Sequence, residues 1–214
     1  MAVDLGTGDG RHVLAAAARD PDTLFVGVDA NAAAMADSSR RASRGRAALP
    51  NALFAVAAAE RPPEALHGLA GSLTVHFPWG SLLRGLLGED DAVLTGVARL
   101  MAPGAEGAVL LSVVPRDGMP PVPPRSTLAA AYERHGLEFV EMRPASAEEV
   151  AASGSTWAKR LQAGWERPVT LLRLRRCHSR DGSLVSGVWT KTPNPLPHSS
   201  SRHTSAPSSS ASRP

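Results

Sequence analysis

The chain is poor in the residues on which several common kinds of chemistry depend. Its 214 residues include a single cysteine, Cys177, which excludes an internal disulfide and a four-thiolate zinc site. A reducing compartment is the expected setting, and no metal site is expected. No apolar run approaches the ~20 residues that a membrane span requires, and the N-terminus has no charged-then-apolar leader pattern. A soluble, cytoplasmic protein is therefore expected. Aromatic residues make up only 4% of the chain, yet four of them are tryptophan. Two of these, Trp79 and Trp157, sit in polar, turn-rich surroundings. A tryptophan exposed on a loop is costly unless something stacks on it, so both are candidates for holding a flat ligand.

Positive charge is also less abundant than the formal value of +3 implies. Residues 177–214 hold Arg180, Lys191, Arg202 and Arg213 against Asp181, leaving 19 basic and 19 acidic groups before Cys177. Affinity for nucleic acid must then come from local clusters. One is Arg40, Arg41, Arg44 and Arg46, between the second and third expected strands. The other is Lys159, Arg160, Arg167, Arg173, Arg175 and Arg176, offset locally only by Glu166. Either alone reads equally as a solvated arginine-rich surface. Two clusters flanking a pocket with a stacking tryptophan favour RNA or DNA.

At 43% hydrophobic the chain can bury one sizeable core. Short apolar runs at 2–5, 24–28, 52–56, 72–76, 107–114, 137–142 and 169–174 read as strands. They alternate with helical patterns at 11–19, 31–43, 90–101 and 126–136. This predicts an α/β fold with a mostly parallel seven-stranded sheet and helices on both faces. The last two strand-like runs flank a helical insertion at about 146–163, and the proline-rich stretch 115–124 reads as a surface loop. Residues 1–176 are expected to form one domain. The Ser/Pro-rich remainder, 177–214, reads as a disordered tail.

The clearest ligand signature is Asp4-Leu5-Gly6-Thr7-Gly8-Asp9-Gly10. It follows the first strand and leads directly into a helix, and its glycines remove side chains where the backbone must turn sharply and approach a ligand. A dinucleotide fingerprint would need a further glycine where Arg11 stands. Asp29 ends the second strand, where a carboxylate can accept from both ribose hydroxyls. Ala59 and Glu60 follow the third strand, where an adenine amino group would be met. Asp4 and Asp9 bracket the glycine turn, and Asp4 serves equally well as a turn-stabilising carboxylate. No lysine or hydroxyl residue completes a phosphate cradle, so the cofactor expected is S-adenosylmethionine, which has no phosphate.

Three motifs carry a family resemblance: Asp4-Leu-Gly-Thr-Gly-Asp-Gly-Arg11, Phe77-Pro-Trp-Gly-Ser-Leu-Leu83 and Ser155-Thr-Trp-Ala-Lys-Arg-Leu161. Together they resemble the Kam/Npm aminoglycoside-resistance enzymes, the 16S rRNA (adenine(1408)-N(1))-methyltransferases. The resemblance implies a class I, Rossmann-like methyltransferase acting on the 30S subunit as a monomer. In that reading the target adenine stacks between Trp79 and Trp157, and Ser155 positions the insertion or the base. Ser81 joins the cofactor residues, and Lys159, Arg160 and Arg167 hold rRNA phosphates. The arginines at 40, 41, 44 and 46 would form another rRNA-facing surface. Family members carry a short β-hairpin before the first strand, whereas this chain starts almost on that strand. A late start or a shortened N-terminus is the expectation, and a truncated, non-catalytic rRNA-binding protein is then an alternative. A further alternative is a tRNA (guanine-N7)-methyltransferase, which also places a Phe-Pro motif after the fourth strand but lacks the Ser-x-Trp-Ala-Lys-Arg module. Trp165 stands where the family often has a basic residue.

Overall fold

Strand β1 (Ala2–Leu5) lies inside a seven-stranded sheet of order β3-β2-β1-β4-β5-β7-β6. The computed structural model describes residues 1–45, 48–156, 158 and 167–178. Arg46, Trp157, Lys159, Arg160 and the tail from residue 179 lie outside the described residues. Strands β2 (Phe25–Asp29), β3 (Ala52–Val56), β4 (Ala70–His76) and β5 (Met101–Leu111) run parallel to β1. Strand β7 (Thr170–Arg176) inserts antiparallel between β5 and β6 (Leu137–Pro144). The interior strands carry apolar residues where both faces of the sheet are covered. Val3, Leu5, Val28, Leu73, Val75 and Val109 are almost fully buried.

The helices begin where short polar side chains satisfy free backbone amides. Asn31 caps α2 (Ala32–Ser43) by accepting the Ala34 N–H at 3.2 Å, and Asp90 caps α4 (Asp91–Leu100) by accepting that of Ala92 at 2.9 Å. Helix α1 (Arg11–Arg19) starts instead at Gly10, whose left-handed φ of 71° ends the glycine turn. Helix α5 (Arg125–Glu133) is held to the core by Tyr132, whose hydroxyl donates to the Leu86 carbonyl at 2.9 Å. Gly96 in α4 lets that helix approach the loop after β3. A side chain there would stand 1.8 Å from the Ala59 carbonyl oxygen.

The seven expected strands and the four helices expected between them are present; β1, β3 and α1 keep their expected bounds and the others differ at their ends. The sequence pattern missed α3 (Gly80–Leu86), which has only seven residues, contains two glycines and is too short to show helical periodicity. It also placed β5 too late. The strand starts at Met101 despite Pro103 and Gly104, and its register against β4 is irregular between Ala70 and Ser72. It ends before Val113 because the chain turns there into a 3-10 turn at Pro115–Asp117, inside the expected loop. The expected insertion opens with α6 (Ala147–Ala152), where Ser146 and Glu149 exchange side-chain and backbone hydrogen bonds as a capping box. Among the described residues, no helix is long and apolar enough to cross a membrane.

Candidate active site

The strand order reverses between β1 and β4, and the carboxyl ends of such diverging strands leave a crevice open to a ligand. A cleft of about 580 Å³ occupies that position. Its floor is the turn Gly6–Asp9, one wall is Asp29 with Ala59 and Glu60, and the opposite wall combines His76–Trp79 with Ser153, Ser155 and Thr156. The sheet thus gathers residues from the whole length of the domain.

Within the turn the glycines differ in role. A Cβ on Gly6 would stand 2.5 Å from the Leu82 side chain and one on Gly10 would stand 2.4 Å from the Phe54 ring, whereas nothing lies within 4 Å of one on Gly8. Gly8 therefore presents open backbone to the cleft. Gly10, expected among the cofactor residues, is buried under the turn and does not line the cleft. Asp29 shapes the turn directly, since one carboxylate oxygen accepts the Gly8 N–H at 2.8 Å and the other that of Asn31 at 2.8 Å. Each oxygen keeps a lone pair for a ligand.

Asp4 is placed for both of the roles considered for it. It is buried and accepts from the Thr7 hydroxyl at 2.7 Å and the Thr74 hydroxyl at 2.9 Å, which is turn stabilisation, yet it also lines the cleft. Burial alone would push its carboxyl up, but His76, with contributions from His12 and Thr7, holds it below the ordinary carboxylate value. His76 Nδ1 stands 3.4 Å from Asp4, an ion-pair distance without hydrogen-bond geometry. The His12 ring meets that of His76 edge-on, with centroids 4.4 Å apart. Neither histidine was singled out by sequence reading, because they lie on different elements and share no motif.

Trp79 is 52% exposed and lines the cleft at the start of α3, beside Ser81. Phe77, two residues before it, is buried with a φ of 52°, a conformation that disfavours bulky side chains. The surrounding structure holds the backbone in this strained turn, which projects Trp79 outward while Phe77 packs inward with Leu110, Val150 and Ala158.

The insertion is tied to the glycine turn by two bonds that sequence reading also missed. Thr156 donates its hydroxyl to Asp9 at 2.7 Å, and His12 Nδ1 contacts the Ser153 carbonyl at 2.9 Å. Asp9 also accepts the Arg11 N–H at 3.1 Å. Its carboxylate thus joins the turn to the insertion. Ser155 lines the cleft, and its hydroxyl accepts the Ala158 N–H at 3.4 Å.

Of the expected phosphate-binding arginines, Arg40 and Arg41 are exposed on the last turn of α2, and Arg44 is exposed at its C-cap. Arg167 is placed otherwise. It is 5% exposed and its guanidinium forms a two-pronged pair with Asp117, with Nη1 to Oδ1 at 3.0 Å, and a further bond to the Ser112 carbonyl at 3.1 Å. Its donors are committed inside the protein, so the expectation of a free phosphate contact is corrected to a structural strut.

An open glycine turn, an acidic residue ending β2 and a cleft at the switch point define a class I methyltransferase fold. The profile of the NpmA family of 16S rRNA (adenine(1408)-N(1))-methyltransferases matches residues 1–176. A 16S rRNA (adenine(1408)-N(1))-methyltransferase of Streptoalloteichus hindustanus is 38% identical over 179 residues, covering 78% of this chain and 82% of that protein. The crystal structure of a tryptophan-to-alanine mutant of the 16S rRNA (adenine(1408)-N(1))-methyltransferase from Catenulisporales acidiphilia, with cosubstrate SAM, superposes with a TM-score of 0.76. It is 31% identical, covering 84% of this chain and 86% of that one. A solved aminoglycoside resistance methyltransferase gives a TM-score of 0.67 at 37% identity, covering 82% and 86%. The chain belongs to the 16S rRNA (adenine(1408)-N(1))-methyltransferase family, an S-adenosylmethionine-dependent group, and the tRNA (guanine-N7) alternative is set aside.

Proposed function

We propose that this enzyme methylates N1 of its target adenine in the decoding-site helix of 16S rRNA, on the assembled 30S subunit, and so confers aminoglycoside resistance. The observation that carries the reading is that exposed Trp79 shares one cleft with the glycine turn and with the Ser155–Thr156 segment of the insertion. A flat base and a nucleoside cofactor can meet there.

The cleft residues fit the cofactor. Asp29 is suited to the ribose hydroxyls, Ala59 and Glu60 to the adenine edge, the Gly6–Gly8 backbone to close approach, and Asp4 to a cationic amino group. Thr7, Asp9 and Ser81 complete the surroundings. Bound S-adenosylmethionine supplies a methyl group activated by its sulfonium, and adenine N1 offers an in-plane lone pair to receive it. No strong general base is needed, so the protein's task is extrusion and alignment of the base. Trp79 provides one stacking wall, and Trp157, by family resemblance, the other, with Ser155 positioning the segment between them. Arg40, Arg41 and Arg44 grip rRNA phosphates, joined by Arg46, Lys159 and Arg160 by resemblance. The enzyme works as a cytoplasmic monomer.

Replacing Trp79 with alanine is expected to leave cofactor binding intact in calorimetry while removing roughly 1 to 3 kcal/mol of base stacking from methyl transfer. Undiminished transfer to 30S subunits would contradict the stacking role. Trp157→Ala is expected to behave in the same way.

A further inference from the structure

No metal site is expected from the sequence, but the fold brings three ligand-type side chains together in the cleft. One ligand atom each from Asp4, His12 and His76 lies within 4.8 Å of the others. Two histidines and one carboxylate are a donor set suited to zinc and its neighbours among the transition metals.

The surroundings of the three residues make them more than a chance encounter. A metal-binding histidine ordinarily donates its second ring N–H to a carbonyl or carboxylate, which fixes the tautomer and leaves the other nitrogen as the ligand. His12 fits this arrangement, since Nδ1 meets the Ser153 carbonyl at 2.9 Å and the residue lines the cleft. The Asp4 carboxylate is oriented by two hydroxyls, one from Thr7 and one from Thr74. His76 Nδ1 is buried and has no hydrogen-bond partner among the described residues, although it faces Asp4 at 3.4 Å. That separation is close to the spacing of two ligands on one tetrahedral zinc, each at about 2.0 to 2.2 Å.

We propose that Asp4, His12 and His76 bind a divalent transition metal ion, zinc being the best match, and that the bound ion excludes S-adenosylmethionine from the cleft. The negative charge that suits Asp4 to the cofactor's cationic amino group also attracts the metal. Only the competition rests on the cofactor using this cleft. Metal binding itself does not.

The test is calorimetric titration of the full chain with zinc, supported by visible absorption of the cobalt-substituted protein. A single zinc site is expected, with affinity reduced at least tenfold in His12→Gln and in His76→Gln and retained in Cys177→Ser. Saturating S-adenosylmethionine should weaken zinc binding to the wild-type protein at least tenfold. Imidazole nitrogen NMR on the wild-type chain gives an answer even if a histidine variant fails to fold. Zinc should shift the ring nitrogens of His12 and His76 and leave those of His67 and His135 in place. Zinc binding that survives both histidine substitutions, or ring shifts confined to other histidines, overturns the site. Zinc that depends on both histidines but ignores the cofactor retains the metal site and overturns the shared cleft.

Discussion

The two arginine clusters look alike in the sequence and differ in the folded protein. Arg40, Arg41 and Arg44 sit on the exposed end of α2, where the ion pair among the described residues is a surface contact from Arg40 to Asp37 at 3.4 Å. The described members of the second cluster are largely spoken for. Arg167 is locked to Asp117, Arg173 pairs with Glu141 and Glu149, Arg175 pairs with Glu106 and Glu138, and Arg176 donates to the His135 and Gly136 carbonyls. Glu166 is the only acid nearby in sequence, but β7 lies between β5 and β6, and both neighbours supply carboxylates across the ladder. A run of like charge in a central strand is thus weak evidence for a binding surface. The same run at the end of an amphipathic helix is stronger evidence.

Substitutions can break this contrast at its strongest point. Arg167→Ala removes one partner of a buried pair and strands Asp117, which is expected to cost about 3 to 5 kcal/mol in chemical denaturation. Its effect on rRNA binding should follow from lost folding alone. Replacing Arg40, Arg41 and Arg44 together should do the reverse. Thermal unfolding should hardly move, while 30S affinity falls and its logarithmic salt slope flattens by roughly 0.7 to 0.9 for each phosphate no longer neutralised. An unaltered salt slope would remove α2 from the rRNA-facing surface.

The smallest effect concerns pH. The Arg143 guanidinium, followed by the Ser146 backbone, lowers the Glu149 pKa from 4.5 to about 2. The folded state therefore favours the carboxylate. Its contribution is fully present above about pH 4.5 and is lost as the pH falls towards 2. Unfolding midpoints measured across that window should fall less steeply for Glu149→Gln than for the wild-type protein. Parallel pH dependences would mean that the Arg143–Glu149–Arg173 network does not anchor α6.

The alternation of apolar runs and helical periods made nearly the whole sheet legible, because buried parallel strands must be apolar on both faces. The meeting of Asp4, Gly6, Gly8 and Asp29 in one cleft was equally legible, because a glycine turn between a strand and a helix has few alternative uses. The Asp4–His12–His76 cluster and the bonds from Thr156 to Asp9 and from His12 to Ser153 were not. They join residues far apart in the chain, and no local pattern encodes their meeting. Arg167 was misread for the same reason, since its partner Asp117 lies in a proline-rich loop that carries no charge pattern pointing to Arg167.

If one cleft holds the methyl donor and presents Trp79 to an rRNA base, the purified protein incubated with labelled S-adenosylmethionine and 30S subunits should place label in 16S rRNA. Primer extension through the decoding-site helix should then stop at the target adenine. Binding of 30S subunits without cofactor uptake or transfer would be incompatible with that arrangement and would leave an RNA-binding protein without the enzyme.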